Sequence, residues 1–228
     1  MLFLSIDTSG KSGGITLAEG AADSFQIIES APIVGGTFSA QLVPALASLL
    51  RKNGFAAGDL RAFVAVSGPG SFTGLRVGLS AIKGLAEVLR QPIATVSVLE
   101  TLAISSGPQG RVIAALDAGR EEIFFGLYNI SAGRAATLCE KLLSRPEFAH
   151  AIKDANAQRI VTSDPLIAEL VRTAGLSAVE VDRPGSADAA QIGLRKLLAG
   201  ETVGVEELDA NYIRRSDAEI FSKPESSR

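Results

Sequence analysis

The same short pattern occurs twice in this chain, 110 residues apart. In each half an apolar run ends at an aspartate, a turn of small residues follows, and a second apolar run returns. Asp7 is the aspartate of the first half and Asp117 that of the second, and Ser9 and Gly119 take equivalent places in the two turns. The strands are residues 2–6 and 15–18 in the first half, and 112–116 and 123–128 in the second. Two strand–Asp–turn–strand units predict an internal duplication.

Strands and helices follow each repeated unit, which predicts an α/β fold with two lobes. The first predicted lobe is residues 1–105, the second is 106–215, and 216–228 form a polar tail that we expect to be poorly ordered. The patterns predict further strands at 25–28, 62–66, 93–96, 159–161 and 178–181, and helices at 39–53, 73–90, 146–153, 164–174 and 187–199. Ser39 is the candidate N-cap of the first helix, and Pro44 should kink that helix or move its start.

Composition excludes several kinds of site. The 228 residues carry 22 Lys and Arg against 25 Asp and Glu, a net charge of −3, so no overall positive charge draws the chain to nucleic acid. With one cysteine and one histidine, the chain forms neither an internal disulfide nor a thiolate-rich or two-histidine metal site. We expect Cys139 to be a small buried apolar residue and His150 to lie on a helix surface. No apolar run approaches the roughly 18 residues of a membrane span, which favours a cytoplasmic protein.

The densest local signal is a glycine-rich turn between a strand and a helix, residues 68–78 (GPGSFTGLRVG). It is not a Walker loop, because Leu75 stands where that loop needs Lys. Thr73 replaces the last glycine of a dinucleotide fingerprint, and the spacing of a nucleophile elbow is absent. Two interpretations remain: an anion site at the start of the helix, or a tight corner with a purely structural role.

Three glycines, Gly74, Gly78 and Gly84, lie within the predicted helix 73–90. Each costs about 0.8–1 kcal/mol relative to Ala, so something should approach the helix backbone closely. That neighbour is either another part of the same subunit or a helix of a partner protein. For the partner alternative, the candidate interface residues are Leu42, Leu46, Gly74, Arg76, Gly78, Leu79 and Ile82.

The two aspartate turns resemble hairpins that cradle the phosphates of a metal-bound nucleotide. Asp7, Ser9, Asp117 and Gly119 are therefore candidates for a nucleotide cleft. A working kinase of this type also needs a catalytic acid and a Gly-Gly loop for adenosine, and no convincing Gly-Gly follows Gly36. We expect no catalytic residue, no metal site and at most weak ATP or ADP binding. The alternative is an active ATP-dependent small-molecule kinase.

Residues 68–78 also resemble a highly specific motif of the bacterial TsaB (YeaZ) family. Other stretches agree with that family: 4–9 (LSIDTS), 39–44 (SAQLVP), 83–86 (KGLA), 96–103 (VSVLETLA), 115–123 (ALDAGREEI) and 211–214 (NYIR). The likeness covers nearly the whole chain, strongly over 1–128 and thinly over 130–205. Two positions depart from the family pattern. Phe38 stands where a His usually precedes the first long helix, and Ala210 stands where Pro is common.

The resemblance implies a two-lobed, actin-like or sugar-kinase-like (ASKHA) fold with a degenerate nucleotide cleft. It also implies a non-catalytic subunit in the synthesis of threonylcarbamoyladenosine in tRNA. The implied partners are a TsaD-type catalytic paralogue and a TsaE-type ATPase, with tRNA reached only through the complex and a homodimer as the alternative when the chain is alone. A peptidase role, which older labels of relatives carry, is not expected of a chain with one histidine.

Overall fold

Two five-stranded sheets form the framework of the part of the chain that the structure describes. The computed structural model describes residues 1–107, 109–211 and 213. In the first sheet the strands lie in the order β3-β2-β1-β4-β5, and in the second in the order β8-β7-β6-β9-β10. The first sheet contains β1 (Leu2–Asp7), β2 (Ser12–Ala21), β3 (Ser24–Val34), β4 (Ala62–Gly68) and β5 (Ile93–Ser97). The second contains β6 (Gly110–Gly119), β7 (Glu122–Ser131), β8 (Arg134–Ser144), β9 (Arg159–Thr162) and β10 (Val179–Glu180).

The two sheets repeat one another strand for strand. In each, the first three strands pair antiparallel, while the fourth pairs in parallel with the first. Even the irregularities correspond, since the register shifts after Leu17 where β2 pairs with β3, and after Leu127 where β7 pairs with β8. The predicted duplication is therefore confirmed at the level of strand order and pairing.

Among the described residues, six α-helices cover the sheets: α1 (Phe38–Lys52), α2 (Phe72–Leu89), α3 (Val98–Ser105), α4 (Arg145–Asp154), α5 (Pro165–Thr173) and α6 (Ser186–Ala199). Helices α1 and α2 bury their apolar stripes on the outer face of the first sheet. Helices α4 and α5 do the same on the second sheet. Between the sheets, α3 and α6 form a shared inner core with residues of both. Across the described part of the chain, no helix is both long and apolar enough to cross a bilayer.

Helix α6 lies within residues 106–215, which the predicted boundary assigns to the second lobe, but it packs on the sheet of the first lobe. On that sheet, Gly193 leaves room for Val64 of β4 and Gly20 of β2 leaves room for Leu194. Helix α3 likewise contacts strands of the second sheet, although it lies within residues 1–105. A cut near residue 105 thus separates the two sheets but not the helices that cover them.

Local details differ from the predictions at helix starts. Helix α1 begins at Phe38 with Thr37 at the N-cap position, so the prediction of Ser39 as the cap is wrong. The hydroxyl of Thr37 instead donates to the carbonyl of Val34, at 2.8 Å. The helix begins before Pro44 and continues through it. The predicted tail, 216–228, and positions 212 and 214 of the closing motif lie outside the described residues.

Candidate functional site

The first aspartate turn closes on itself at the end of β1. Oδ1 of Asp7 accepts a hydrogen bond from the backbone N–H of Ser9, at 2.8 Å. Asp7 is only 5% exposed. Burial raises the pKa of its carboxyl group above the ordinary value of 3.8, and hydrogen bonding by Ser9 and the charge of Arg183 offset only part of that rise. The carboxylate is thus poorly placed to meet a metal-bound phosphate.

The second aspartate turn has the same local geometry in a different environment. Oδ1 of Asp117 accepts from the N–H of Gly119 at 3.0 Å, as Asp7 does from Ser9. The backbone N–H of Asp117 donates to Oδ2 of Asp164 at 2.7 Å. Unlike Asp7, Asp117 is exposed and lines the cleft between the sheets. The duplication is therefore kept in the backbone and lost in the burial of the carboxylates.

The glycine-rich run covers the first aspartate turn. The N–H of Ser71 donates to the carbonyl of Ser9 at 2.7 Å, and the hydroxyl of Thr8 donates to the carbonyl of Gly74 at 2.7 Å. A Cβ at Gly70 would lie 2.2 Å from the Ser9 carbonyl oxygen, and one at Gly74 would lie 2.1 Å from that of Thr8. Only glycine lets the start of α2 approach the turn so closely.

For two of the three glycines of α2, this packing decides whether the close neighbour is part of the same subunit or a helix of a partner protein. Gly74 and Gly78 face the turn at Thr8 inside the subunit and are buried. Gly84 is exposed, with no atom within 4 Å of where its Cβ would stand. The close approach inferred from Gly74 and Gly78 is real, but it is internal to the chain.

A cleft of about 1150 Å³ separates the two turns. Ser9 and Asp117 line it, together with the first turn of α2. Its charged lining residues among those described are the cations Lys11, Arg76, Arg120 and Arg183 and the carboxylates Asp117 and Asp164. Cations outnumber anions here in a chain of net charge −3, so the cleft suits an anion better than a cation. Within the described ranges, no group of three or more His, Cys, Asp or Glu side chains is placed to hold a metal ion.

Most of the candidate interface residues lie inside the fold. Leu42, Leu46, Leu79 and Ile82 belong to the core between α1, α2 and the first sheet, and Gly74 and Gly78 are buried against the turn at Thr8. Leu46, Gly78, Leu79 and Ile82 line neither the cleft nor the groove described next, so they are packing residues and not the surface that was predicted, whereas the buried Leu42 and Gly74 each reach the wall of one of these two cavities. Arg76 is exposed, and its guanidinium carbon lies 3.8 Å from the centre of the Phe72 ring.

Helices α1 and α2 do expose a groove, and its lining includes two of the predicted residues, Leu42 and Arg76, together with others that were not predicted. We call it the α1–α2 groove. It has a volume of about 560 Å³ and is lined by Ser39, Leu42, Val43, Phe72, Thr73, Arg76, Val77, Ser80 and Ala81. Val43 is 64% exposed and Phe72 37%. Sequence reasoning missed Val43 and Phe72 because it followed the apolar stripe; the signal for them is an apolar residue outside that stripe.

The remaining singled-out residues have plain structural surroundings. Phe38 is buried, with its ring filling the space left by Gly13 and Gly74, and Ala210 is buried in the same core. His150 lies on the surface of α4, with Nε2 2.9 Å from Oδ2 of Asp154, as expected. Cys139 lies in β8 and is only half-buried.

Comparison with known proteins adds a sequence likeness. A family model described as TsaD, tRNA N6-adenosine threonylcarbamoyltransferase, matches residues 32–163. The chain is 37% identical over 134 residues to the tRNA threonylcarbamoyladenosine biosynthesis protein TsaB of Bacillus subtilis, which is 58% of this chain and 57% of that protein. To the protein of the same name from Escherichia coli it is 28% identical over 188 residues, 78% of this chain and 81% of the relative. The Bacillus match thus spans little more than half the relative's length.

Two solved structures have a fold similar to that of this chain. One, an uncharacterized protein with similarity to peptidase YEAZ from Pseudomonas aeruginosa, aligns with a TM-score of 0.74 and 27% identity, covering 93% of this chain and 99% of its own. Another, YeaZ from Pseudomonas aeruginosa, aligns with a TM-score of 0.72 and 24% identity, covering 92% and 100%. With the family-model match, they confirm the expected actin-like, sugar-kinase-like fold.

Proposed function

The chain belongs to the TsaB/YeaZ family, and from that premise we propose that it is an accessory subunit in the synthesis of threonylcarbamoyladenosine in tRNA. In this proposal it docks and organises a TsaD-type catalytic paralogue, which transfers the threonylcarbamoyl group to the adenosine beside the anticodon. A TsaE-type ATPase completes the assembly in the cytoplasm, and tRNA is contacted only through the complex. The chain itself contributes no catalytic residue.

The observation that carries the proposal is the burial of Asp7 beside a turn that the start of α2 covers. A kinase of this fold class would need that carboxylate open to a metal-bound nucleotide, whereas here it is 5% exposed and its pKa is raised by burial. The glycines that permit this covering belong to the most specific motif in the sequence. The arrangement supports a scaffold over the rival interpretation, an active small-molecule kinase. Weak ATP or ADP binding around Ser9 and Asp117 remains a prediction.

The α1–α2 groove is the surface that we propose for the catalytic paralogue. It exposes two large apolar side chains, Val43 and Phe72, next to small ones such as Ser80 and Ala81. A groove of this kind suits an apolar helix face of a partner. Arg76 at its side adds a charge-assisted contact for a carboxylate on that partner. When the paralogue is absent, a second copy of this chain is the alternative occupant.

The docking surface is tested with a matched pair of variants. Val43→Glu puts a carboxylate into the groove and should weaken binding to the purified paralogue at least about tenfold, since an apolar partner face would strip that carboxylate of its hydration and the new charge would compete with the partner for Arg76. Leu198→Glu makes the same kind of change at a residue of α6 that is 48% exposed and lies outside the groove, and it should leave binding unchanged. Calorimetric titration measures both. Equal binding by the wild type and Val43→Glu would place the partner on another surface.

The absence of catalysis is tested first on the purified chain alone and then with the proposed partner proteins added. We expect negligible ATP hydrolysis and no peptidase activity, and threonylcarbamoyladenosine should form on tRNA only when the TsaD-type and TsaE-type proteins are present. Robust ATP turnover that is lost in Asp7→Ala would establish the kinase alternative instead. Each assay needs the same folded-state check, because Asp7 is buried and its removal affects the turn.

A further inference from the structure

The carboxylate of Glu140 links the two lobes, and one of its partners, Asn211, lines the cleft. Glu140 of β8, in the second sheet, accepts hydrogen bonds at Oε1 from the Ser97 hydroxyl, at 2.6 Å, and from the Tyr128 hydroxyl. At Oε2 it accepts from the side-chain amide of Asn211. Tyr128 belongs to the same sheet as Glu140, whereas Ser97 ends β5 of the first sheet.

Asn211 is held by the first lobe. Its backbone N–H donates to the carbonyl of Ser67, at 2.8 Å, where β4 ends. Just before it, Leu208 and Ala210 are buried in the core of the first sheet. Farther back, the N–H of Val203 donates to the carbonyl of Ile93 at 2.9 Å. Two of the three donors to Glu140 are therefore anchored in the first lobe and one in the second.

The surroundings keep these donors in place. Tyr128 is fully buried, and a Cβ at Gly126 would lie 2.6 Å from its ring, so the glycine makes room for the side chain. Burial together with the nearby charge of Glu140 raises the pKa of Tyr128, which keeps its hydroxyl protonated and able to donate.

Two other charged residues, Glu100 and Lys196, lie near Glu140. Glu100 of α3 is close enough to feel the charge of Glu140, and it pairs with Lys196 of α6 at 2.7 Å. Lys196 also donates to the carbonyl of Thr95, at 3.0 Å. The Glu100–Lys196 ion pair thus joins helices α3 and α6, next to the hydrogen bonds through which Glu140 joins the two sheets.

We propose that Glu140 is an inter-lobe clamp that fixes the angle between the two sheets with no ligand in the cleft. Its three donors converge from both lobes on one carboxylate, and polar networks that are fully satisfied rigidify the parts that they join. The cleft of this chain therefore keeps one width whether or not a nucleotide is added. This inference concerns the isolated chain and does not rest on the proposed function.

The clamp is tested by the distance between two spin labels, one in each lobe. The labels replace the exposed residues Ser48 of α1 and Lys153 of α4, in a chain where Cys139→Ala has removed the native thiol. In that background we expect one narrow distance distribution, unchanged by added ADP with Mg²⁺. Glu140→Ala should broaden the distribution at least about twofold, because the lobes then sample several angles.

A matched control and a second variant keep the test decisive. Glu201→Gln removes an exposed ion pair with Arg134 of β8, at 3.2 Å, and should leave the distribution narrow. If Glu140→Ala does not fold, the double variant Ser97→Ala with Asn211→Ala removes the two first-lobe donors and leaves the Glu140–Tyr128 hydrogen bond. A broad or ADP-sensitive distribution in the labelled background would overturn the inference. So would a narrow one in a folded variant that lacks the clamp.

Discussion

Gly78 of α2 and Thr8 of the first aspartate turn stand so close that a Cβ at Gly78 would lie 2.3 Å from the Thr8 hydroxyl oxygen. The contact joins residues far apart in sequence and holds the helix against the turn that follows Asp7. It therefore links the glycine-rich motif to the turn that follows the buried Asp7.

We predict opposite effects of the same substitution at two glycines of α2. Gly78→Ala should destabilise the protein by about 1–3 kcal/mol, because the methyl group overlaps Thr8 in a packed interior. Gly84→Ala should stabilise it by about 0.5–1 kcal/mol, since Gly84 is exposed and alanine is the better helix former. Urea denaturation of both variants measures the difference. Changes of the same sign would show that Gly78 is not confined by Thr8.

A second prediction concerns the charge of Asp7. Burial raises its pKa above 3.8 in the folded state, so the folded chain holds that proton more tightly than the unfolded chain does. Ionisation therefore costs stability at neutral pH, and the cost disappears as the pH falls toward 3.8. Asp7→Asn keeps an oxygen to accept the Ser9 N–H and removes the charge.

The Asp7→Asn variant should accordingly be at least as stable as the wild type at pH 7.5, with an advantage that shrinks toward pH 4. Denaturation midpoints across this range test it. Ser9→Ala serves as the comparison variant, since it keeps both the carboxyl group of Asp7 and the backbone N–H from which that group accepts a hydrogen bond. A variant that is markedly less stable at pH 7.5 would mean that the folded state stabilises the ionised carboxylate.

A third prediction isolates the Glu100–Lys196 pair. Lys196→Met should destabilise the fold by about 3–5 kcal/mol, because it leaves Glu100 buried without its cation. Lys196→Met combined with Glu100→Gln should recover much of that loss, since no buried charge remains. Burial already raises the pKa of Glu100 above 4.5, so the deficit of the single variant should be smaller at pH 5 than at pH 8. A deficit that does not depend on pH would indicate lost packing instead.

The sequence predicted what depends on local pattern. Apolar runs, the two aspartates and the turn residues between them located the repeated units, and the paired sheets confirm them. Helical periodicity also identified the residues that share a face of α1 and of α2. It could not say what that face meets, and the stripe of Leu42, Leu46, Leu79 and Ile82 proved to be the core.

The missing information concerns contacts between distant parts of the chain. Nothing local to Gly78 indicates that Thr8 is its neighbour, and nothing local to α6 indicates that it covers the first sheet. Asp7 is buried beside a turn that the distant start of α2 covers, whereas the equivalent Asp117, whose backbone N–H donates to Asp164, stays exposed. Two turns with the same local sequence pattern thus differ for a tertiary reason.

The last prediction tests the position of α6 on the first sheet. A Cβ at Gly193 would lie 2.3 Å from a methyl carbon of Val64, in the middle of β4. Gly193→Ala should therefore destabilise the fold by about 1–3 kcal/mol through overlap. Val64→Ala alone should also destabilise it, because it leaves a cavity beside a fully buried position.

If the two side chains share one space, the double variant should cost at least about 1 kcal/mol less than the sum of the single variants, because the alanine methyl at 193 fills the room left at 64. Denaturation of all four proteins completes the cycle. Gly84→Ala combined with Val64→Ala provides the reference pair, since Gly84 faces solvent and should add independently. If the changes in unfolding free energy of Gly193→Ala and Val64→Ala are simply additive, α6 does not contact β4 at these residues, and the description of the shared inner core is wrong.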